Sequence, residues 1–380
     1  MNNKKVPGSK ISSLITLLLV ASSVAMGAGD ANQDSWIAMA FATGAALLLA
    51  WLYSAILRLH PGKNMYDIFV EVFGNVGGKV VCGLYAVYAA YLGARIFALY
   101  DNFIRIVNLD ATPTAAILLM SVPLIACSVK SGLKTIGSCA KFVLIIICLL
   151  TATTLILGLH FMDFGNIKPI FATEPKAMFK TAASYLTLPL GEVVLCMSFF
   201  GEVDQKESPF RILSNGILLG GLLMVAILLR NVLLLGAPTC RMFLFASYDA
   251  VGIISVGDFV TRISVFIGVE LTLTAVGKIC VFVYAATQGV SKILGLRKFL
   301  QPAAPCCTLM AAFSLALYTN ILSEVDFQKY VSLLGIPFQI LLPVVVLIVG
   351  KVRQGKKKKG AAKKAAPAKS GNQVPEEPAY

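Results

Sequence analysis

Long apolar runs, broken by short clusters of charge, glycine and proline, set the pattern of this chain. Ten runs reach or approach the ~20 residues that cross a bilayer as a helix. They cover roughly residues 11–28, 36–59, 80–107, 112–129, 135–160, 178–201, 212–236, 258–291, 303–320 and 328–351. The runs lack the period-two alternation over ten-residue stretches that a transmembrane barrel needs. Inside lipid, backbone polar groups must be bonded within their own segment, so the runs are expected to be helices.

Composition supports this. Of 380 residues, 57% are hydrophobic and only 14% charged, against about 25% charged in ordinary soluble domains, and the mean hydropathy is +0.80. The fold class is therefore an all-α polytopic membrane protein. Basic residues collect in alternate connections: Lys4, Lys5 and Lys10; Arg58, Lys63 and Lys79; Lys130 and Lys134; Lys206 and Arg211; Lys292, Arg297 and Lys298; Lys351, Arg353 and the KKKK run at 356–359. The intervening stretches GDANQDS, NLDA and SEVDF are poor in base. The positive-inside rule then puts both termini in the cytoplasm and makes the number of spans even. The basic tail, 353–380, holds eight bases against two acids, +6 of the net +14. It reads as a disordered orientation anchor that can also meet anionic headgroups of the lipid bilayer; nucleic-acid binding is poorly supported.

The first run, with its basic start and small residues at the end, also has the outline of a secretory signal. Symmetry between the halves favours keeping it. Runs 1 and 6 each open a set of five, and each contains a break, MGAG at 26–29 and PLGE at 189–192. An amphipathic segment, PGKNMYDIFVEVFGNVGG or CRMFLFASYDAVGIISVG, precedes runs 3 and 8. Five spans followed by five in opposite orientation make an inverted repeat, whose broken first helices hold the solute near the midplane. The parts are a cytoplasmic N-terminus (1–10), repeat 1 (11–160), an outer loop (161–177), repeat 2 (178–352) and the basic tail (353–380).

The break in run 6 has a chemical reason. Proline removes an N–H and clashes with the preceding turn, glycine opens otherwise closed conformations, and the carbonyls and amides freed around them become ligands. A half-helix N-terminus carries about half a positive charge and suits an anion. The bland alternative is a packing kink. Glu192, costly inside a bilayer by at least ~2.5 kcal/mol, is expected to face the bundle interior; there it can bind an ammonium, carry a proton or pair with a base. Candidate bases are Arg95, Lys141 and Lys278, whereas Arg230 reads as a side chain that snorkels towards the outer surface. Glu270 lies two turns before Lys278, with no direct pair expected between them, and Asp258 and Arg262 lie towards the outer end of run 8. Tyr85, Tyr88 and Tyr91 recur at threes in run 3 and line either a pocket or a helix contact. The nine cysteines lack metal-ligand or disulfide spacing, so neither metal nor cofactor is expected. The chain shows no nucleotide loop or nucleophile–base constellation, so it reads as a non-enzyme.

The motifs together resemble the B-subunit permeases of bacterial endospore germinant receptors, relatives of the amino acid–polyamine–organocation transporters. PGKNMYDIFVEVFG (61–74), LPLGEVVLCMSFFGEVDQK (188–206), ISVGDFVTRISVF (254–266), KICVFVYAATQGVSKILGL (278–296) and NQDSW (32–36) carry the likeness in order and spacing. The resemblance implies a LeuT-type five-plus-five fold with broken helices 1 and 6. It also implies a spore inner-membrane or cell-membrane location, a small germinant such as an amino acid, A-type and C-type partner subunits, and no catalysis. The implied ligand-binding residues are Gly27, Gly29, Tyr88, Tyr91, Thr187, Pro189, Leu190, Gly191 and Glu192. Glu192, Lys141, Glu270 and Lys278 are candidates for a proton or charge relay. The chain departs from the family pattern in its short GAGDANQDSW stretch, which leaves little outer half to span 1, and in Ser264, where relatives commonly carry glutamate. Functional expectations are a nutrient-sensing receptor subunit first, a proton-coupled amino-acid permease second, and a germinant-gated ion or water conduit third.

Overall fold

The structure is a computed structural model. It describes residues 5–23, 26–107, 111–254, 264–317 and 330–365, with the side chains of 264 and 356–365 left out. Asp258, Arg262, most of the 254–266 motif, the edges of runs 9 and 10, and the last fifteen residues of the tail lie outside that set, as does the side chain of Ser264.

Among the described residues the chain is helical. Helices α1 (Gly8–Val20), α2 (Ser35–Leu59), α3 (Met65–Val107), α4 (Thr114–Lys130) and α5 (Leu133–Gly158) form the first half. The second half contains α6 (Pro175–Thr187), a 3-10 helix (Leu190–Gly201), α7 (Pro209–Leu235), the short α8 (Ala237–Met242) and α9 (Ala246–Gly252), α10 (Ser264–Leu294), α11 (Ala303–Leu317) and α12 (Leu342–Ala365). A π-helical turn, Pro337–Leu341, precedes α12. Among the described residues, seven helical stretches have the length and apolarity to cross a membrane, and three shorter apolar helices, α1, α4 and α11, accompany them. Proline begins α6 and α7, where its missing N–H and fixed φ cost nothing.

The most extensive helix contacts are α3 with α10 and α2 with α7. In span order these are the third with the eighth and the second with the seventh. Equivalent helices of two inverted repeats thus face one another across the bundle, as a pseudo-two-fold axis in the membrane plane requires. Small residues Ala86, Ala89 and Gly93 lie on the buried side of α3, where they let backbones approach closely. Helix α1 is buried almost throughout and packs on α5, α7 and α10.

Three details differ from the sequence reading. The boundary between the amphipathic segment and span 3 falls at Gly74, where φ is 83° and ψ 179° and the helical winding is broken, so the helix of span 3 starts just after it rather than near 80. Span 6 is wound as 3-10 helix beyond its break. Helix α12 continues through Ala365, so the tail expected to be disordered from 353 begins as helix; its alanines and lysines are strong helix formers.

Candidate functional site

The site is built around two interruptions. Helix α6 ends at Thr187 and the 3-10 helix starts at Leu190, with Leu188 and Pro189 between them and a cis peptide joining the two. Gln339, from the π-helical turn, lies over this gap with 1% of its surface exposed. Its Nε2 donates to the freed Thr187 carbonyl at 2.9 Å and to the Tyr88 hydroxyl at 2.8 Å. The Gln339 backbone carbonyl accepts from the Tyr53 hydroxyl at 2.8 Å, and the Phe338 carbonyl from the Tyr85 hydroxyl at 2.6 Å. The Phe338 ring stacks on Tyr88 with centroids 4.4 Å apart. Gly191 makes the approach possible, since a Cβ there would sit 2.1 Å from Gln339 Oε1. The sequence reading missed Gln339. Its only signal was a lone amide in a long apolar run, two residues after Pro337.

Glu192 stands in the first turn of the 3-10 helix, where a negative charge complements the exposed backbone amides. Its carboxylate thus occupies the kind of position assigned above to a ligand's carboxylate. Its Oε2 lies 2.6 Å from Lys278 Nζ on α10, and both side chains are fully buried. Lys278 also donates to Ser22 Oγ at 2.6 Å, just beyond the end of α1, and its ammonium lies 5.7 Å from the Phe282 ring centroid. Arg95 acts electrostatically on Lys278 and on Tyr88 from α3. One buried ion pair therefore ties the two broken spans to α10.

The first interruption follows α1. Ser23 Oγ donates back to the Val20 carbonyl at 2.7 Å, and Ser247 Oγ donates to the Ser23 carbonyl at 3.0 Å. Behind Ser247 stand Asn231, whose Nδ2 donates to it at 2.9 Å, and Arg230, which donates to Asn231 Oδ1 and, at 2.8 Å, to Thr154 Oγ1. The snorkelling expected of Arg230 is thereby corrected: the side chain is 1% exposed, because three hydrogen bonds to Asn231 and Thr154 inside the bundle replace water. Glu270, also buried, acts on Arg230 electrostatically without reaching ion-pair distance.

Gly27 lies against α8, where a Cβ would meet the Cys240 carbonyl at 2.7 Å, and its own carbonyl accepts from the Tyr185 hydroxyl at 3.1 Å. Gly29 adopts φ +57° beside Thr181 and Tyr185, a conformation costly for other residues. From there the 3-10 segment Gly29–Asp34 leads to α2, its winding broken at Asn32, where φ is 48° and ψ −125°. Asp34 is buried and accepts from Phe171 N, Thr173 N and Thr173 Oγ1 at 2.9–3.1 Å, pinning the connection before α6. Asp30 pairs with the exposed Lys180 at 2.7 Å and with Arg241 at 3.6 Å.

Of the remaining candidates, Tyr88 is buried under Gln339 and Tyr91 is half-buried one turn along. Thr187, Leu190 and Gly191 lie at the second interruption. Lys141 lies on an exposed face of α5, apart from the buried charges. At the opposite end of the 3-10 helix the N-terminal segment clasps the bundle. Val6 N donates to the Glu202 carbonyl at 2.9 Å and Asp204 N to the Val6 carbonyl at 3.2 Å, so that Val6 and Val203 form a parallel bridge.

Known proteins resemble this chain. In Bacillus subtilis (strain 168), spore germination protein KB is 24% identical over 356 residues, spanning 91% of this chain and 95% of its own length. YfkT of the same strain is 22% identical over 329 residues, 85% of this chain and 88% of its own. The structure of Mhp1, a nucleobase-cation-symport-1 family transporter solved in a closed conformation with bromovinylhydantoin bound, superposes with a TM-score of 0.65. It does so at 12% identity, over 90% of this chain and 78% of that one. The fold is thus the LeuT type seen in that transporter. A family model described as spore germination protein matches residues 5–325, and with the fold and the broken spans in agreement, the chain belongs to the spore germination protein family of membrane permeases.

Proposed function

We propose that this chain is the solute-sensing membrane subunit of a spore germination receptor. It binds a small germinant of the amino-acid class between its two broken spans and passes a change of shape to A-type and C-type partner subunits. It performs no catalysis, sits in the spore inner membrane, and keeps both termini on the core side. The observation that carries this reading is the fully buried Glu192–Lys278 pair, which with Ser22 joins both interruptions to α10. A solute that displaces any member of this trio shifts both broken spans together. The Gln339 amide, held on Thr187 and Tyr88, is the second internal occupant such a solute would meet.

The test is binding of a panel of amino acids to the purified chain, comparing wild type with the paired replacement of Glu192→Gln and Lys278→Met. The pair is removed together because either change alone strands a buried charge. Loss of binding by a protein that remains folded supports the site; unchanged affinity sinks it. Likeness to a transporter fold favours a second reading, proton-coupled uptake of the same solute, in which the ion pair exchanges a proton. Uptake by the chain alone in liposomes would select that reading; binding without uptake would select the receptor.

A further inference from the structure

Arg95 stands deep in span 3, about 18 Å along the helix from its outer end at Val107 and roughly 30 Å from the break at Gly74. Both ends are farther away than an arginine side chain reaches, so snorkelling gives it no relief. A guanidinium at such depth is costly and is ordinarily paired. Among the described residues Arg95 makes no ion pair and no hydrogen bond, and its Nε is buried without a partner.

Its charge is directed at the mid-membrane site. Positions 88, 91 and 95 follow one another at three and four residues and so share one face of α3. On that face Tyr88 lies under Gln339 and against Phe338. Arg95 acts electrostatically on the Tyr88 hydroxyl and on the fully buried Lys278 of α10. The charges there do not balance. Lys278 takes up Glu192 at 2.6 Å, and Glu270 stands opposite Arg230. Arg95 is thus left as a surplus cation among the described charges of the bundle interior. The place that a half-helix N-terminus would offer to a solute's carboxylate is meanwhile filled by Glu192, in the first turn of the 3-10 helix. A solute's carboxylate needs another donor, and a guanidinium, with a planar fork matched to two carboxylate oxygens, is the side chain best shaped for it.

We propose that Arg95 is the residue that selects the solute, by pairing with its carboxylate at the α3 face of the mid-membrane site. The inference rests on the reading of that site given above and narrows it: a solute without an anionic group leaves Arg95 unpaired and binds poorly. The carboxylate also brings the negative charge that the interior lacks, so solute binding, not folding, neutralises the guanidinium.

The test uses the purified full-length chain in detergent and two probes, an equimolar mixture of the standard amino acids and the same mixture as C-terminal amides. The readout is the half-saturating concentration for thermal stabilisation. In the wild type the amides should require at least about tenfold more than the acids, as loss of a charge-assisted hydrogen bond predicts. Arg95→Gln should raise the value for the acids to that for the amides, and Arg95→Lys, which keeps the charge and loses the fork, should fall between. Without solute, Arg95→Gln should melt no lower than wild type, because no internal partner is lost. Equal binding of acids and amides by the wild type overturns the proposal and leaves the mid-membrane site standing, as does a preference for acids that survives Arg95→Gln. Loss of both probes' binding in Arg95→Gln overturns it too, since the residue would then shape the site instead of reading the carboxylate. A solute-free Arg95→Gln that melts well below wild type overturns it by revealing a structural partner. Failure of the wild type to bind either probe removes the mid-membrane reading itself, and this inference with it.

Discussion

The two interruptions occupy equivalent places in the two repeats and are built differently. In span 6 the gap is narrow, two residues between helical pieces, and it is closed from inside: Gln339 covers the freed carbonyl, and Leu190 to Phe200 are buried without exception. In span 1 the α-helix ends at Val20, and a 3-10 segment starting at Gly29, itself broken at Asn32, leads into α2. Its carbonyls are bonded by serines near the core and by a tyrosine further out, and its outer end is fastened by the exposed Asp30–Lys180 contact. Irregular backbone is tolerated at membrane depth only where protein shields it. The comparison shows two ways of shielding it: one long side chain reaching over a proline break, or a relay of short hydroxyls backed by a buried arginine. The shortness of GAGDANQDSW, legible in the sequence, is the reason the second way is needed.

Removing one member of the ion pair should damage both interruptions at once and have the largest effect. Lys278→Met alone leaves Glu192 buried and unpaired, a loss of about 3–5 kcal/mol; thermal unfolding of the purified protein should show it, and much of the loss should return when Glu192→Gln is added. A double variant no more stable than the single would show that the pair is not what joins the two spans. Arg230→Met acts on span 1 alone. It removes charge-assisted hydrogen bonds to Thr154 and Asn231, and about 2–3 kcal/mol is expected, with the Glu192–Lys278 contact preserved. Gln339→Leu acts on span 6 alone and strands the Thr187 carbonyl, about 1–3 kcal/mol; faster hydrogen exchange confined to the end of α6 and the 3-10 helix would confirm its place. Lys180→Ala should change stability least, by at most about 1 kcal/mol, because the side chain is 74% exposed, and raised salt should erase the difference in thermal unfolding.

Much of the fold could be read from the chain. Run lengths, the five-plus-five spacing and the amphipathic segments before spans 3 and 8 are local patterns, and the helices follow them. PLGE likewise marked the second break, because proline and glycine act on their own backbone. Which side chains meet across the bundle was not legible. Glu192 and Lys278 each stood out as costly inside lipid, yet the 85 positions between them carry no signal about which turn of α10 faces the break. Arg230 was misread for the same reason: depth along a helix is visible in sequence, whereas the partners that make burial affordable lie on α5, α7 and α9. Gln339 escaped notice because a neutral amide in a long apolar run changes hydropathy little.

The tighter winding of Leu190–Gly201 has a mechanical side. Twelve residues at about 2.0 Å each span roughly 24 Å, where an α-helix of equal length would span about 18 Å. Rewinding that piece would draw its far end in by some 6 Å, and the amino-terminal β-bridge at Val203 would be towed along. A solute that altered the pitch near Pro189 would thus move the head of the polypeptide at the other surface, as a cable shortening at one end shifts whatever hangs from the other.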